Sequence, residues 1–331
     1  MPPPEPLVRV VRSDFVESVH LGDVAVCDAD GRVLARVGDP DRPVFARSSM
    51  KPLQAAVSIQ TIEPYLGDDL GDDLVAIMCA SHNGEPEHVR AVRALLRSTG
   101  AREAQLRCPP ALPARPDRGR PAARPRPIFH NCSGKHAGMI AACLGGGWPA
   151  ESYGERSNPL QRRVLRAVQR ATDVDRPALG VDGCGVPVFG LPLSAMATLF
   201  ARFGRVELLG RLAPAAARAV RAMQSYPFLV AGTRRTDTSL MQATPGIVAK
   251  GGAEALHCAA LLNEGIGIAV KIADGGERAA GPALVHTLTL VGAITERERA
   301  ELESVARRPV LGGRRPVGAV EADFRLHRVR S

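Results

Sequence analysis

Strand-forming segments stand at both ends of this chain, and the helical patterns lie between them. Residues 24–27 and 33–37 flank Asp28-Ala29-Asp30-Gly31, a turn sequence that joins two strands into a hairpin. Far downstream, residues 266–272 read as a buried strand, stopped by Asp274-Gly275-Gly276. Strands at both ends with helices inserted between them point to an α+β fold and away from a βαβ repeat. There is no internal repeat and no phosphate-binding Gly-rich motif.

The helices between these ends are legible from their apolar spacing. Ser48 opens a pattern through Leu53, Ala56 and Ile59, with Pro52 in the first turn, where proline is tolerated. Residues 87–98 form a clear helix: Pro86 stands near its start, Val89, Val92 and Leu96 share a face, and Gly100 follows its end. Further helices are expected at 133–144, closed by Gly145-Gly146-Gly147, and at 160–168, 191–203, 206–223, 284–291 and 296–306. Residues 254–262 read as a short helix leading to the strand at 266. A length of 331 residues suits one domain of two lobes. Residues 109–127 hold seven prolines and five arginines without periodicity, and read as a loop insertion.

Apolar residues make up 45% of the chain, enough for a core, but only 4% are aromatic, so the core must be built from Ala, Val and Leu. The net charge of +9 raises the question of nucleic acid. The excess is scattered, part of it at Arg107, Arg115, Arg118, Arg120, Arg124 and Arg126, and the aromatics are too few for a stacking platform. A solvated surface is the simpler reading. No stretch reaches transmembrane length. Residues 1–6 are Pro-rich and acidic, unlike a signal peptide, and seven irregularly spaced cysteines suit a reducing compartment. The expectation is a cytoplasmic protein that binds neither membrane nor nucleic acid.

Lysine is the informative cation. Of 43 Lys and Arg residues only Lys51, Lys135, Lys250 and Lys271 are lysine. Arginine has taken every position where any positive charge serves. Arginine does not give up its proton in a protein, whereas lysine does when its surroundings disfavour charge. The four survivors each have Ser, Cys or Gly within four residues, which marks some of them as neutral amines.

Ser48-Ser49-Met50-Lys51 places a hydroxyl and an amine on one helix face, since positions i and i+3 are neighbours. A neutral Lys51 can take the proton of Ser48 and produce a nucleophile. Cys79-Ala80-Ser81-His82-Asn83-Gly84 follows an apolar run and offers Ser81 as a proton relay; the plainer alternative is a serine capping the next helix. In Asn131-Cys132-Ser133-Gly134-Lys135-His136, Cys132 and Lys135 have the spacing of a local ligand pair, and Cys184 lies between two glycines. Two thiolates and one nitrogen would suit Zn²⁺ with a fourth position open. Cys27, Cys143 and Cys258 sit in apolar runs and read as small core residues. Lys271 lies inside an apolar strand and needs a partner or a lost charge, unless it reaches out from a sheet edge. Lys250, in Ala249-Lys250-Gly251-Gly252, has no role that its neighbours define.

Ser-x-x-Lys, Ser-x-Asn and a strand lysine before glycine, in that order, partly resemble the penicillin-recognising serine enzymes. A closer resemblance covers nearly the whole chain. The segments Pro43-Val44-Phe45-Ala46-Arg47-Ser48-Ser49-Met50-Lys51-Pro52, Ser81-His82-Asn83-Gly84-Glu85-Pro86, Asn131-Cys132-Ser133-Gly134-Lys135-His136-Ala137-Gly138-Met139, Val181-Asp182-Gly183-Cys184-Gly185-Val186-Pro187 and Ala249-Lys250-Gly251-Gly252-Ala253-Glu254 resemble the rhizobial-type L-asparaginases. That resemblance implies a serine-β-lactamase-like α+β fold, an antiparallel sheet packed with helices plus a helical lobe. It implies a homodimer that hydrolyses L-asparagine to aspartate and ammonia. It implies two Ser–Lys pairs, Ser48–Lys51 and Ser81–Lys271, and Zn²⁺ on Cys132, Lys135 and Cys184 that orients substrate and is dispensable as a source of nucleophile. Arg47, His82, Asn83, His136 and Asp182 are the candidate substrate contacts. The alternatives are a β-lactamase or peptidase relative with the same nucleophile, and a zinc-binding regulator that uses its arginines on DNA.

Overall fold

The computed structural model describes residues 2–114 and 124–329, so the centre of the Arg/Pro-rich insertion lies outside the described residues. Along the chain the strands are β1 (Glu5–Arg12), β2 (Phe15–Asp28), β3 (Val33–Val37), β4 (Pro43–Phe45), β5 (Ala178–Val181) and β6 (Pro187–Pro192). They continue with β7 (Ile247–Gly252), β8 (Leu256–Leu261), β9 (Ile266–Ile272), β10 (Arg307–Gly312), β11 (Arg315–Ala322) and β12 (His327–Arg328). The helices are α1 (Lys51–Leu66), α2 (Asp72–Met78), α3 (Pro86–Ser98), α4 (Ser133–Gly145), α5 (Pro159–Thr172) and α6 (Leu193–Phe203). After them come α7 (Ala213–Ser225), α8 (Pro227–Val230), α9 (Thr236–Ala243), α10 (Glu277–Leu290), α11 (Glu296–Glu301) and α12 (Glu303–Ala306).

The chain divides into two compact units. The first takes the residues up to Ser49, Gly190–Leu208 and everything from Ser239 onward; the second takes Met50–Phe189 and Leu209–Thr238. The first unit holds the sheet, ordered β10-β11-β1-β2-β9-β8-β7, with β3 on β2 and β12 on β3. All its pairings are antiparallel. Strands from the two ends of the chain therefore meet at the β2–β9 and β1–β11 pairings. Successive strand residues face opposite sides. Val24, Val26, Ile268 and Val270 face Ala279, Ala283 and Leu284 of α10 in one apolar core. Gly267 and Ala269 face the other way, towards α6, and a Cβ at Gly267 would run into the Ala197 carbonyl.

Residues 254–262 are not a helix. They form β8, entered through Glu254 and Ala255 at φ 63° and 54°. All six β8 residues are buried between β7 and β9. A strand covered on both faces needs no polar alternation, so its Ala-rich run carries no strand signature. The helix expected over 206–223 is also broken: a kinked 3₁₀ segment, Val206–Leu212, turns at Gly210 (φ 58°) before α7 begins with Pro214 in its first turn. Leu191 and Pro192 end β6, so α6 starts two residues later than its pattern suggested.

In the second unit α1 and α4 are buried nearly all round, as helices at the centre of a bundle must be. Small residues make this possible. A Cβ at Gly134 would meet the Ile77 carbonyl oxygen, so α4 lies backbone to backbone against α2.

Candidate active site and thiol–amine cluster

The chain enters α1 through the 3₁₀ turn Arg47–Met50. Arg47 takes φ 45°, a left-handed conformation that costs a non-glycine residue about 1–3 kcal/mol and tends to persist at functional positions. Ser48 follows it, half-buried. Lys51 is fully buried. Its Nζ lies 2.5 Å from the Ala80 carbonyl oxygen, 3.4 Å from that of Asn131 and 2.9 Å from Ser81 Oγ. Ser81 is brought there by the irregular segment after α2. Its N–H donates to the Val230 carbonyl, that of His82 to Asn131, and that of Asn83 to Ala231. The amine thus donates to two carbonyls and to the Ser81 hydroxyl oxygen, three acceptors around its protons.

His82 and Asn83 secure that segment. Gly84 N–H donates to His82 Nδ1, so Nε2 carries the proton and donates to Ser133 Oγ at 2.9 Å, which itself donates to the Ile128 carbonyl. Burial, then the neighbouring His88 and Lys51 charges, hold the His82 pKa well below its usual range, and both ring nitrogens are engaged. Asn83 donates to Glu85 Oε1 and to the Thr233 carbonyl. Burial opposes ionisation of Glu85, but hydrogen bonds from Asn83 and Thr233 outweigh it and keep the carboxyl below its usual pKa.

Cys132 caps α4, Lys135 stands in its first turn, and Cys184 comes from the turn before β6; all three are buried. Lys135 Nζ donates to Cys184 Sγ at 3.0 Å. The hydrogen bond from the Cys184 thiol is the main reason Cys132 ionises well below its usual range, with burial opposing and the lysines assisting. The same bond, together with burial, pushes Cys184 upward. Burial pulls Lys135 down, but the two sulfurs outweigh it and the amine rises to about 12. Asp182 lies beside the cluster, with Oδ2 3.8 Å from Cys184 Sγ. Tyr153 Oη accepts from Arg107 N–H and donates to His136 Nδ1 at 2.6 Å. The proton of His136 is thus on Nε2, which is buried without a hydrogen-bond partner among the described residues. His136 and Cys184 line one cavity of about 100 Å³. Two convergent thiols are of the kind Zn²⁺ takes, and the amine beside them would become a third donor only on losing its proton. Among the described residues no three His, Cys, Asp or Glu side chains form a metal group.

In the first unit Lys271 is half-buried and donates to the Glu254 and Ile272 carbonyls. Burial lowers its pKa, against the pull of Glu254, Asp274, Glu277 and Asp23. Lys250 is the residue that its sequence neighbours left without a role. It is fully buried on β7. A Cβ at Gly252, two positions on and hence on the same face, would sit 3.0 Å from Ser49 Oγ and 3.2 Å from Arg47 Cβ. Ser49 Oγ donates to the Lys250 carbonyl. Cross-strand register puts Gly252, Leu256 and Lys271 in one row and Lys250, Cys258 and Ala269 in the next, all on that face. Both lysines therefore stand on the side of the sheet that carries the Arg47–Ser49 turn. The signal in the sequence was Lys-Gly-Gly: the second glycine makes room for that turn.

An antiparallel sheet with helices on both faces, and a helical unit in which a buried lysine donates to a serine hydroxyl, define a mixed α/β protein. The chain belongs to the L-asparaginase II family, whose sequence profile matches residues 8–322. Solved structures of Mglu are similar at 15% identity. The native form in 4.3 M NaCl matches with a TM-score of 0.40 over 82% of this chain and 61% of that one. The native form gives 0.36 over 77% and 60%, and the tris and glutamate form 0.37 over 87% and 62%. The chain thus spans about three-fifths of the length of the protein it matches. A comparison with curated proteins finds no match.

Proposed function

We propose that the chain is an amidohydrolase that converts L-asparagine to L-aspartate and ammonia by acyl transfer to serine. The observation that carries this reading is the Lys51 amine, buried with two carbonyls and the Ser81 hydroxyl about it. Family membership supports the amide as substrate. Ser48, which follows the strained Arg47, adds to the side-chain carbonyl carbon. Its proton passes to the Lys51–Ser81 pair and leaves on the departing ammonia. Water then hydrolyses the ester and returns the proton to the serine. Lys250 joins Lys271 as a candidate second amine, on the evidence of its burial beside the turn. The antiparallel sheet covered by helices supports the serine-β-lactamase-like reading of the fold. A homodimer and a cytoplasmic location come with the resemblance and the composition.

Cys132, Lys135 and Cys184 would hold a zinc ion, with Asp182 and His136 next to them. Its positive charge would fix the pocket and orient substrate, since a serine already supplies the nucleophile. Ligation requires Lys135 to be neutral. Cys184→Ala is expected to lower zinc content by about tenfold or more, read by elemental analysis of the purified protein. Retention of one zinc per chain in that variant would remove the assignment.

Ser48→Ala and Ser81→Ala test the chemistry. Each is expected to reduce ammonia release from asparagine by about 10³-fold or more with an unchanged melting temperature. Glutamine run alongside separates the two amide substrates. Near-normal release by the Ser48 variant would overturn the assigned nucleophile.

A further inference from the structure

The face of α5 that looks back on α1 is unlike the other charged helices of the chain. Its sequence, from Pro159 to Thr172, contains four arginines and no acid. On α11, by contrast, Arg297 pairs with Glu301 and Arg299 with Glu296, and on α3 Arg90 pairs with Glu87. Among the described residues Arg163 and Arg166 form no ion pair, nor does Arg211 from the segment before α7. These three and Arg170 line one groove of about 320 Å³ with no acidic residue in its wall. Its floor is apolar, with Ala167 and Leu212 among its residues. Every part of it belongs to the second unit.

The groove is built rather than incidental. The Arg163 guanidinium lies 4.7 Å over the Trp148 ring, which fixes the side chain without neutralising it. Gln60 of α1 donates to the Arg211 carbonyl at 2.6 Å and ties that arginine's backbone to the groove wall. Arg163, Arg166 and Arg211, without an ion pair among the described residues, bring their guanidinium groups around one concavity, and an anion placed among them would relieve their mutual repulsion. Guanidinium forks match phosphate oxygens two at a time, and an apolar floor takes up the carbon skeleton of a ligand. The volume is at the lower end of the range of about 300–1,000 Å³ for small-molecule sites, and its concave form suits a compact ligand better than a polymer.

We propose that this groove binds a small organic molecule carrying two or more linked phosphate groups. The site is independent of the hydrolytic reading. ATP is the probe, titrated into the full chain by calorimetry at about 0.15 M salt, where purely atmospheric charge effects are screened. The expected result is one saturable site per chain, with ATP bound about tenfold or more tightly than inorganic phosphate. Arg166→Glu combined with Arg211→Glu is expected to weaken ATP by about tenfold or more while leaving melting temperature and ammonia release unchanged. Both residues are exposed, so the fold does not depend on them. No saturable heat, equal affinity for phosphate and ATP, or equal ATP affinity in the double variant would each overturn the proposal. So would a single-stranded oligonucleotide that binds more tightly than ATP, which would mark the face as a nucleic-acid surface.

Discussion

Replacing Lys51 by arginine is expected to cut ammonia release from asparagine by about 10³-fold or more, although it preserves the positive charge. Were Lys51 merely a buried cation holding the Ala80 and Asn131 carbonyls, arginine would retain much of that function. If instead its value lies in a lone pair directed at Ser81 Oγ, 2.9 Å away, arginine removes it entirely. Lys51→Met supplies the second arm. It keeps the length of the side chain and no nitrogen, so the Ala80 carbonyl loses its Lys51 donor while the Asn131 carbonyl keeps the His82 N–H. An unsatisfied group costs about 1–3 kcal/mol, so this variant should melt earlier as well as lose turnover. The informative comparison is activity per folded molecule, with circular dichroism defining the folded fraction. Arginine at position 51 with more than about a tenth of wild-type turnover would end the amine-base mechanism.

Parts of the candidate site are grouped in the sequence because they are local. Ser48 and Lys51 share one helical turn, and Cys132 and Lys135 another, so spacing alone groups them. The scarcity of lysine then singles out four candidate cations. The strands that close the sheet were legible where one face meets solvent or a turn sequence bounds them, as at β2 and β3. Other features depend on contacts between distant segments. β8 reads as a helix because its neighbours β7 and β9 cover it, and nothing within residues 254–262 records that. Lys250 acquires a place only when Gly252 admits the Arg47–Ser49 turn, about two hundred residues away in sequence, against the strand. The proton position on His136 follows from Tyr153 and Arg107, which no local pattern connects to it. His82 is a similar case. A polar residue beside Ser81 invites a substrate role, but its two nitrogens are held by Gly84 and Ser133, and it keeps the Ser81 segment in place.

Gly134→Ala is expected to destabilise the protein by about 2–3 kcal/mol, although alanine is the better helix former by about 1 kcal/mol. The reason is the position of α2. The added methyl would strike the Ile77 carbonyl oxygen, and also lie 2.9 Å from the carbonyl carbon and from Ile77 Cγ1. A backbone group cannot rotate out of the way, so α4 has to move. Against a total stability of about 5–15 kcal/mol such a loss is large, and it should lower the melting temperature by roughly 5–10 °C. Gly138, one turn further along α4, is the control. The three atoms nearest a methyl there all belong to the Met78 side chain, with Cε and Cγ at 2.8 Å, and a methionine can take another rotamer, so Gly138→Ala should cost less than Gly134→Ala. The two variants also separate stability from function. Gly134 lies between Cys132 and Lys135, so displacing this turn of α4 moves both of them relative to Cys184. Zinc content should therefore fall in Gly134→Ala and hold in Gly138→Ala. Equal melting temperatures for the two variants would show that α4 has slack against α2, and the tight backbone contact would then not be what places the thiol–amine cluster.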